Sequence, residues 1–269
     1  MGSESLVPQK VVDYVTRHET ISIEEMMQDL RVTRITAKNY LSRLARLDII
    51  KRIGRGLYQV GKGTTVAARL PSDLSLIGQY LKERFPMARI VIWSMSMLAN
   101  YAHYAIGRDL VVLETDRLLS PSIRDALIER GYRTVLNPEN RDFKEYAYYR
   151  DKAIFVLERK EEYAVFEAEG LLIPTPERIW LDIYYFITRK DLAFPPSELG
   201  LIFANMLRKE GINFNRLLRC ARRRNLRDEM IIFLYNMRRS SQLPIPESIL
   251  VGRKEVLSTI DEMVRGTKE

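Results

Sequence analysis

A single cysteine, Cys220, stands in the whole 269-residue chain, with two histidines and two tryptophans. One thiol cannot form an intramolecular disulfide, so a reducing compartment is the simplest fit. His18 and His103 lie far apart in sequence, and no cluster with zinc-like ligand spacing can be drawn around them or Cys220. No stretch approaches about 18 uninterrupted apolar residues, and no basic segment leading into an apolar run opens the chain. Low-complexity tracts and internal repeats are missing as well. These absences lead to the expectation of a soluble, cytoplasmic protein with no membrane partner, no metal and no cofactor.

What is present is enough apolar material for a sizeable core, 46% of the residues, and a surplus of base. Forty-three Lys and Arg against 35 Asp and Glu leave a net charge of +8, which suits a polyanionic or acidic partner without choosing between them. The length allows two domains or three.

The segment from Ile21 to Val60 carries the strongest pattern. Ile23, Met26, Met27 and Leu30 fall at helical spacing, Arg31-Val32-Thr33 makes a turn, and Thr33 is placed to cap a second helix. Ala37, Tyr40, Leu41, Leu44 and Leu47 give that helix its apolar stripe, leaving Arg34, Lys38, Asn39, Ser42 and Arg43 on its start and outer face. Two β-prone runs, Ile49–Ile53 and Leu57–Val60, flank Gly54-Arg55-Gly56 and predict a hairpin. Between Arg31 and Lys62 nine basic residues face one acid, whereas residues 1–30 carry two basic and six acidic side chains. The whole reads as a winged helix-turn-helix that binds double-stranded DNA. Arg34, Lys38, Asn39 and Ser42 are expected at base edges, and Arg43, Lys51, Arg52 and Arg55 at phosphates.

Residues 6–18 predict a helix ahead of this segment, and Gly61–Thr65 a linker behind it. Leu74–Phe85 reads as a helix closed by Pro86. Strands follow at Arg89–Trp93, Leu110–Thr115 and Thr134–Leu136, with helices at Ser94–Ile106 and Ser120–Arg130 between them. Ala153–Leu157 and Tyr163–Phe166 read as a pair of strands joined by the charged turn Glu158–Glu162. Thr175-Pro176-Glu177 then opens a strong helix with Ile179, Trp180, Ile183, Tyr184 and Ile187 on its buried side. Beyond Pro196 the chain reads as helical: Ser197–Lys209, Asn215–Arg224, Leu226–Met237 and Arg253–Val264. The expected class is α/β (α+β). The expected division is a DNA-binding domain at 1–62, a small α/β sheet domain at 63–190, and a helical region at 191–269 packed on the sheet domain.

Chemistry is sparse. Glu114 and Asp116, two apart at a strand end, could hold a divalent metal over a triphosphate, as in nucleotidyl transfer. Trp93-Ser94, however, stands where such enzymes place a Gly-Ser element, so a structural role is the favoured reading. Ser94 and Ser96 have no nearby histidine to act as base and read as helix caps. Cys220 reads as packing, although its arginine neighbours could lower its pKa. Arg216, Arg219, Arg222, Arg223, Arg224 and Arg227 fall within twelve residues that contain no acid. Six arginines cannot all pair locally; a partner surface, ion pairs elsewhere in the fold, and plain solvation all stay open.

In its order of motifs the chain resembles the AbiEi-type antitoxins of abortive-infection (type IV toxin–antitoxin) systems, in a poorly characterised branch of that winged-helix regulator family. The likeness rests on the winged-helix segment, Trp93-Ser94-Met95-Ser96, and the run Gly170–Asp182. Ile92-Trp93-Ser94, Glu129–Tyr132, Leu136-Asn137-Pro138 and Leu217–Arg224 also have counterparts. The resemblance implies a non-enzymatic regulator that represses its own promoter and neutralises a nucleotidyltransferase-like toxin encoded nearby. Arg219, Arg222 and Arg223 are the first choices for that partner contact. A stand-alone repressor without a toxin, and a nucleotidyltransferase-like enzyme guided by a winged helix, remain the alternatives.

Overall fold

The computed structural model describes residues 7–18, 20–46, 49–60, 70–103, 109–149, 152–158, 162–168, 170–209, 211–241 and 243–250. The protein is a mixed α/β chain. It opens with α1 (Gln9–Thr16), β1 (Thr20–Ser22), α2 (Ile23–Leu30), α3 (Arg34–Arg46), β2 (Ile50–Gly54) and β3 (Leu57–Val60). Next come α4 (Ser72–Arg84), β4 (Val91–Ser94), β5 (Leu110–Thr115), α5 (Ser120–Glu129), β6 (Arg133–Leu136), α6 (Asn140–Glu145), β7 (Ala153–Glu158), β8 (Val165–Ala168), β9 (Leu171–Pro174) and α7 (Pro176–Lys190). The last elements are α8 (Pro196–Lys209), α9 (Phe214–Arg223), α10 (Arg227–Ser241) and α11 (Glu247–Leu250). Among the described residues no helix is long and apolar enough to cross a membrane.

Two compact units emerge, one of residues 1–64 with 206–269 and one of residues 65–205. In the first, β1, β3 and β2 form an antiparallel sheet in that order. Val11, Tyr14, Val15, Met26, Ala37, Leu41 and Leu44 bury the inner faces of α1, α2 and α3 against Ile21, Ile50 and Tyr58. The helix starts follow from local chemistry. Ser22 Oγ accepts the Glu25 amide and the Glu25 carboxylate accepts the Ser22 amide, both at 3.0 Å, closing a capping box on α2. Arg31 ends α2 in the left-handed conformation, and Thr33 Oγ1 accepts the Thr36 amide at 3.3 Å. Gly56, with φ +74°, turns the hairpin where a side chain would be strained. The Tyr14 hydroxyl donates to Asp29 across α1 and α2 at 3.0 Å; burial and that carboxylate push its pKa well up.

The three-part division read from the sequence does not match these units. From Met206 onward the helices group with the N-terminal segment, not with the sheet. The cause is visible at the hairpin. The Gln59 side-chain amide donates to the Leu207 carbonyl at 2.9 Å, and Ile53, only 1% exposed, lies against Gly211. Gly211 has φ +72° and leaves no room for a Cβ without moving Gln59.

In the second unit a six-stranded sheet runs β6-β7-β5-β4-β9-β8. Neighbours are parallel except β5–β4 and β9–β8. Alternation along the strands sends Ile92, Val111, Leu113, Ile154, Val156 and Ile173 to one face, under α4 and α5. Val91, Trp93, Val112 and Phe155 face the other way. There the Trp93 ring stacks on Phe186 of α7 at 6.1 Å, and Phe143 of α6 meets Phe155 edge-on at 4.9 Å.

Several local expectations differ from this. β7 and β8 are not a hairpin: β7 lies between β6 and β5, and β8 pairs with β9, a strand the sequence reading did not separate from the α7 start. The segment after β4 is a short 3-10 turn over Met95–Tyr101, not a long helix. β1 and α6 were not anticipated. Leu6, Leu47, the Gly61–Thr65 linker and the Arg253–Val264 helix lie outside the described residues.

Candidate nucleic-acid interface

The outer side of α3 is set by its inner one. With Ala37, Leu41 and Leu44 buried, Lys38, Asn39 and Arg43 are left exposed and Ser42 half-buried, as helical periodicity dictates. Ile35, at the start of the helix, is 74% exposed, an unusual place for a large aliphatic side chain. Arg34 beside it pairs with Glu24 of α2 at 3.0 Å, both groups being open to solvent. Such a pair is worth about 0–1 kcal/mol, so a better anion can displace it.

On the hairpin, Lys51 and Arg52 alternate across β2, opposite Gln59 and Tyr58 respectively. Arg52 Nε donates to the Gly54 carbonyl at 3.1 Å, which fixes the base of its guanidinium, and Arg55 stands exposed at the turn. The hairpin forms one wall of a cleft of about 690 Å³ whose other wall is α9 and the start of α10. Five arginines line it: Arg52 and Arg55 from the hairpin, Arg219 and Arg222 from α9, and Arg227 from α10. Asn213 and Asn215 add two amides, and no carboxylate is among the lining residues.

The α9 wall is built by a steep amphipathic pattern. Phe214, Leu217, Cys220 and Ala221 are buried, which leaves Arg219 and Arg222 on the exposed side. Asn213 caps the helix by accepting the Arg216 amide at 3.0 Å. Arg219 Nε donates to the Asn215 carbonyl at 3.3 Å, and Arg227 reaches Asp228 only at 3.9 Å. Among the described residues Arg55 and Arg222 have no ion-pair or hydrogen-bond partner. Arg216, Arg223 and Arg224 do not line the cleft and engage other groups.

A family model described as a family of unknown function (DUF6577) matches residues 36–240. The chain belongs to the DUF6577 family. Among curated proteins none matches it. The DUF6577 span opens inside α3, just after Arg34 and Ile35, and closes near the end of α10. It therefore takes in both walls of the cleft, the hairpin and the α9–α10 arginines.

The sequence reading assigned Arg52 and Arg55 to DNA and Arg219, Arg222 and Arg223 to a protein partner. In this DUF6577 chain Arg52, Arg55, Arg219 and Arg222 share one cleft, and Arg223 falls outside its lining. Asn213 and Asn215 were not singled out, and Arg227 was named only as a member of the arginine run. The signal for Arg227 was present, since it continues the run of arginines, but only the fold shows which members of the run face the hairpin.

The other candidate residues are occupied structurally. Glu114, 5% exposed, accepts from the Arg178 guanidinium through both carboxylate oxygens. Arg178 also donates to the Tyr163 carbonyl at 2.8 Å and lies 3.4 Å from Asp182. Burial opposes the charge on Arg178, and the carboxylates of Glu114 and Asp182 more than offset it, holding the guanidinium above the usual arginine range. Asp116 is exposed and accepts the backbone amides of Leu118 and Leu119 at 3.0 and 3.2 Å. The two carboxylates are thus spent separately, one on a buried ion pair and one on a turn. Among the described residues no group of three or more His, Cys, Asp or Glu could hold a metal ion. Ser94 does not cap the turn after it; its hydroxyl and that of Ser96 bond each other at 2.6 Å. Cys220 is buried in the inner face of α9.

Proposed function

We propose that the chain is a DNA-binding transcriptional regulator in which α3 reads the major groove and the β2–β3 hairpin acts as a wing on the flanking backbone. The observation that carries this reading is the outer face of α3. Behind a buried Ala37–Leu41–Leu44 stripe it presents Arg34, Lys38 and Asn39 together with an exposed Ile35, and no acid. Arginine and lysine suit guanine O6 and N7, asparagine suits adenine, and an aliphatic side chain suits a thymine methyl. The element order α1–β1–α2–α3–β2–β3 and the arginines at the hairpin turn support a winged helix-turn-helix. Neutralisation of a toxin, which the AbiEi-type resemblance implies, would draw on α9 arginines that line the same cleft as the wing.

Gel-shift titrations on the gene's own upstream region test the proposal. Asn39→Ala or Arg34→Ala should weaken binding by about 1–3 kcal/mol and relax sequence preference. Arg55→Ala should weaken binding to every duplex alike and flatten the salt dependence by about one unit of slope. Full-length protein that binds the upstream region no better than an Arg34→Ala/Asn39→Ala/Arg55→Ala variant would refute the DNA assignment.

A further inference from the structure

We infer that the five-arginine cleft is a binding site for a small ligand carrying three adjacent phosphates. The argument does not depend on the DNA reading. A cleft of about 690 Å³ lies within the range of small-molecule sites, roughly 300–1,000 Å³. Its lining is the reverse of an apolar pocket: Leu218 is its one apolar side chain other than glycine, against five guanidiniums and two amides. Like charges gathered in a concavity with no carboxylate among them raise the local potential, and an anion relieves it.

The number of phosphates follows from the forks. A guanidinium offers two parallel N–H donors matched to phosphate oxygens, and one phosphate accepts two such forks. A single phosphate therefore leaves about three of the five arginines without an anion; three adjacent phosphates engage them all. Preorganisation favours the same ligand. Arg52 and Arg219 each have Nε held by a backbone carbonyl, which leaves their terminal nitrogens to point away from that anchor. Arg55 and Arg222 have nothing to give up among the described residues. Asn213 precedes the first turn of the ten-residue α9, which carries no acid, so that helix N-terminus adds its partial positive charge, whereas Asp228 and Glu229 in the first turn of α10 offset the other. The Asn215 side-chain amide, unbonded among the described residues, supplies a further donor.

Three phosphates in a row occur in free tripolyphosphate and in the tail of a nucleoside triphosphate. With one apolar lining residue the cleft has little to hold a base, so the tail supplies the recognition from either source.

The test is calorimetric titration of the full-length protein, in the absence of DNA and of divalent cations, with orthophosphate, pyrophosphate, tripolyphosphate and ATP. Affinity should rise along the first three, with tripolyphosphate at least tenfold tighter than orthophosphate and ATP within about threefold of tripolyphosphate. Arg219→Ala/Arg222→Ala should remove that gain. Arg55→Ala, at an exposed turn, should remove part of it and guards against a double variant that fails to fold. ATP far tighter than tripolyphosphate would overturn the phosphate-tail assignment. Equal binding of orthophosphate and tripolyphosphate, or tight binding that survives both variants with the thermal melt unchanged, would overturn the site. So would a protein that binds duplex DNA but none of the four anions, since the cleft would then hold only DNA phosphates; absence of DNA binding alone leaves the inference standing.

Discussion

Arg178→Met should lower the unfolding free energy of the chain by about 3–5 kcal/mol, the range for breaking a buried ion pair from one side. Arg178 is fully buried on α7, and it faces the buried Glu114 of β5 and Asp182, fully buried one turn further along α7. Its guanidinium also lies 4.3 Å from the Tyr163 ring. Without it the buried carboxylates of Glu114 and Asp182 lose the guanidinium that faces them both. Adding Glu114→Gln and Asp182→Asn should restore part of the loss. Urea unfolding at neutral pH checks this; a deficit under about 1 kcal/mol would contradict the ion-pair account.

Cutting the chain after residue 62 should leave the N-terminal fragment far less stable than the same segment in the whole protein. Ile53 is buried against Gly211, and uncovering it costs about 1.5–3 kcal/mol. The Gln59–Leu207 hydrogen bond adds about 1 kcal/mol. Set against a total of about 5–15 kcal/mol for a typical small domain, this is a large share. Hydrogen exchange at the amides of β2 and β3 should be markedly faster in fragment 1–62, and its thermal midpoint well below that of the full chain. A fragment with full-length protection would mean that the hairpin does not depend on the C-terminal helices. Faster exchange would mean that the separate DNA-binding domain expected at 1–62 depends on helices more than 140 residues further along the chain.

Elements whose burial repeats within their own length were legible in the sequence. α2 runs over Ile23–Leu30 as the spacing of Ile23, Met26, Met27 and Leu30 required, and β5 covers Leu110–Thr115, opening on the apolar run Leu110–Leu113 that a doubly covered strand tolerates. α7 begins at Pro176 as its start signals indicated, though Thr175 makes no side-chain cap. What failed were features fixed by distant residues. Leu171–Pro174 looks like an approach to a helix until β4 and β8 flank it. Arg178 and Asp182 sit in a helix whose apolar stripe gave no warning of buried charge, because their partner Glu114 is 64 residues away. Arg219 and Arg222 were recognised as surplus charge, but their destination depended on the chain returning to the hairpin it left at Val60.

That return also sets an order on synthesis. The unit of residues 1–64 and 206–269 is interrupted by roughly 140 residues that form the other unit. At about 5–20 residues per second, about 7–28 seconds pass between release of the hairpin from the ribosome and arrival of the helices that cover Ile53 and complete the arginine cleft. The sheet unit can close during that interval. A nascent or prematurely terminated chain therefore carries α3 and the β2–β3 hairpin without the α9 wall, and only a chain that extends past the start of α10 presents all five arginines of the cleft.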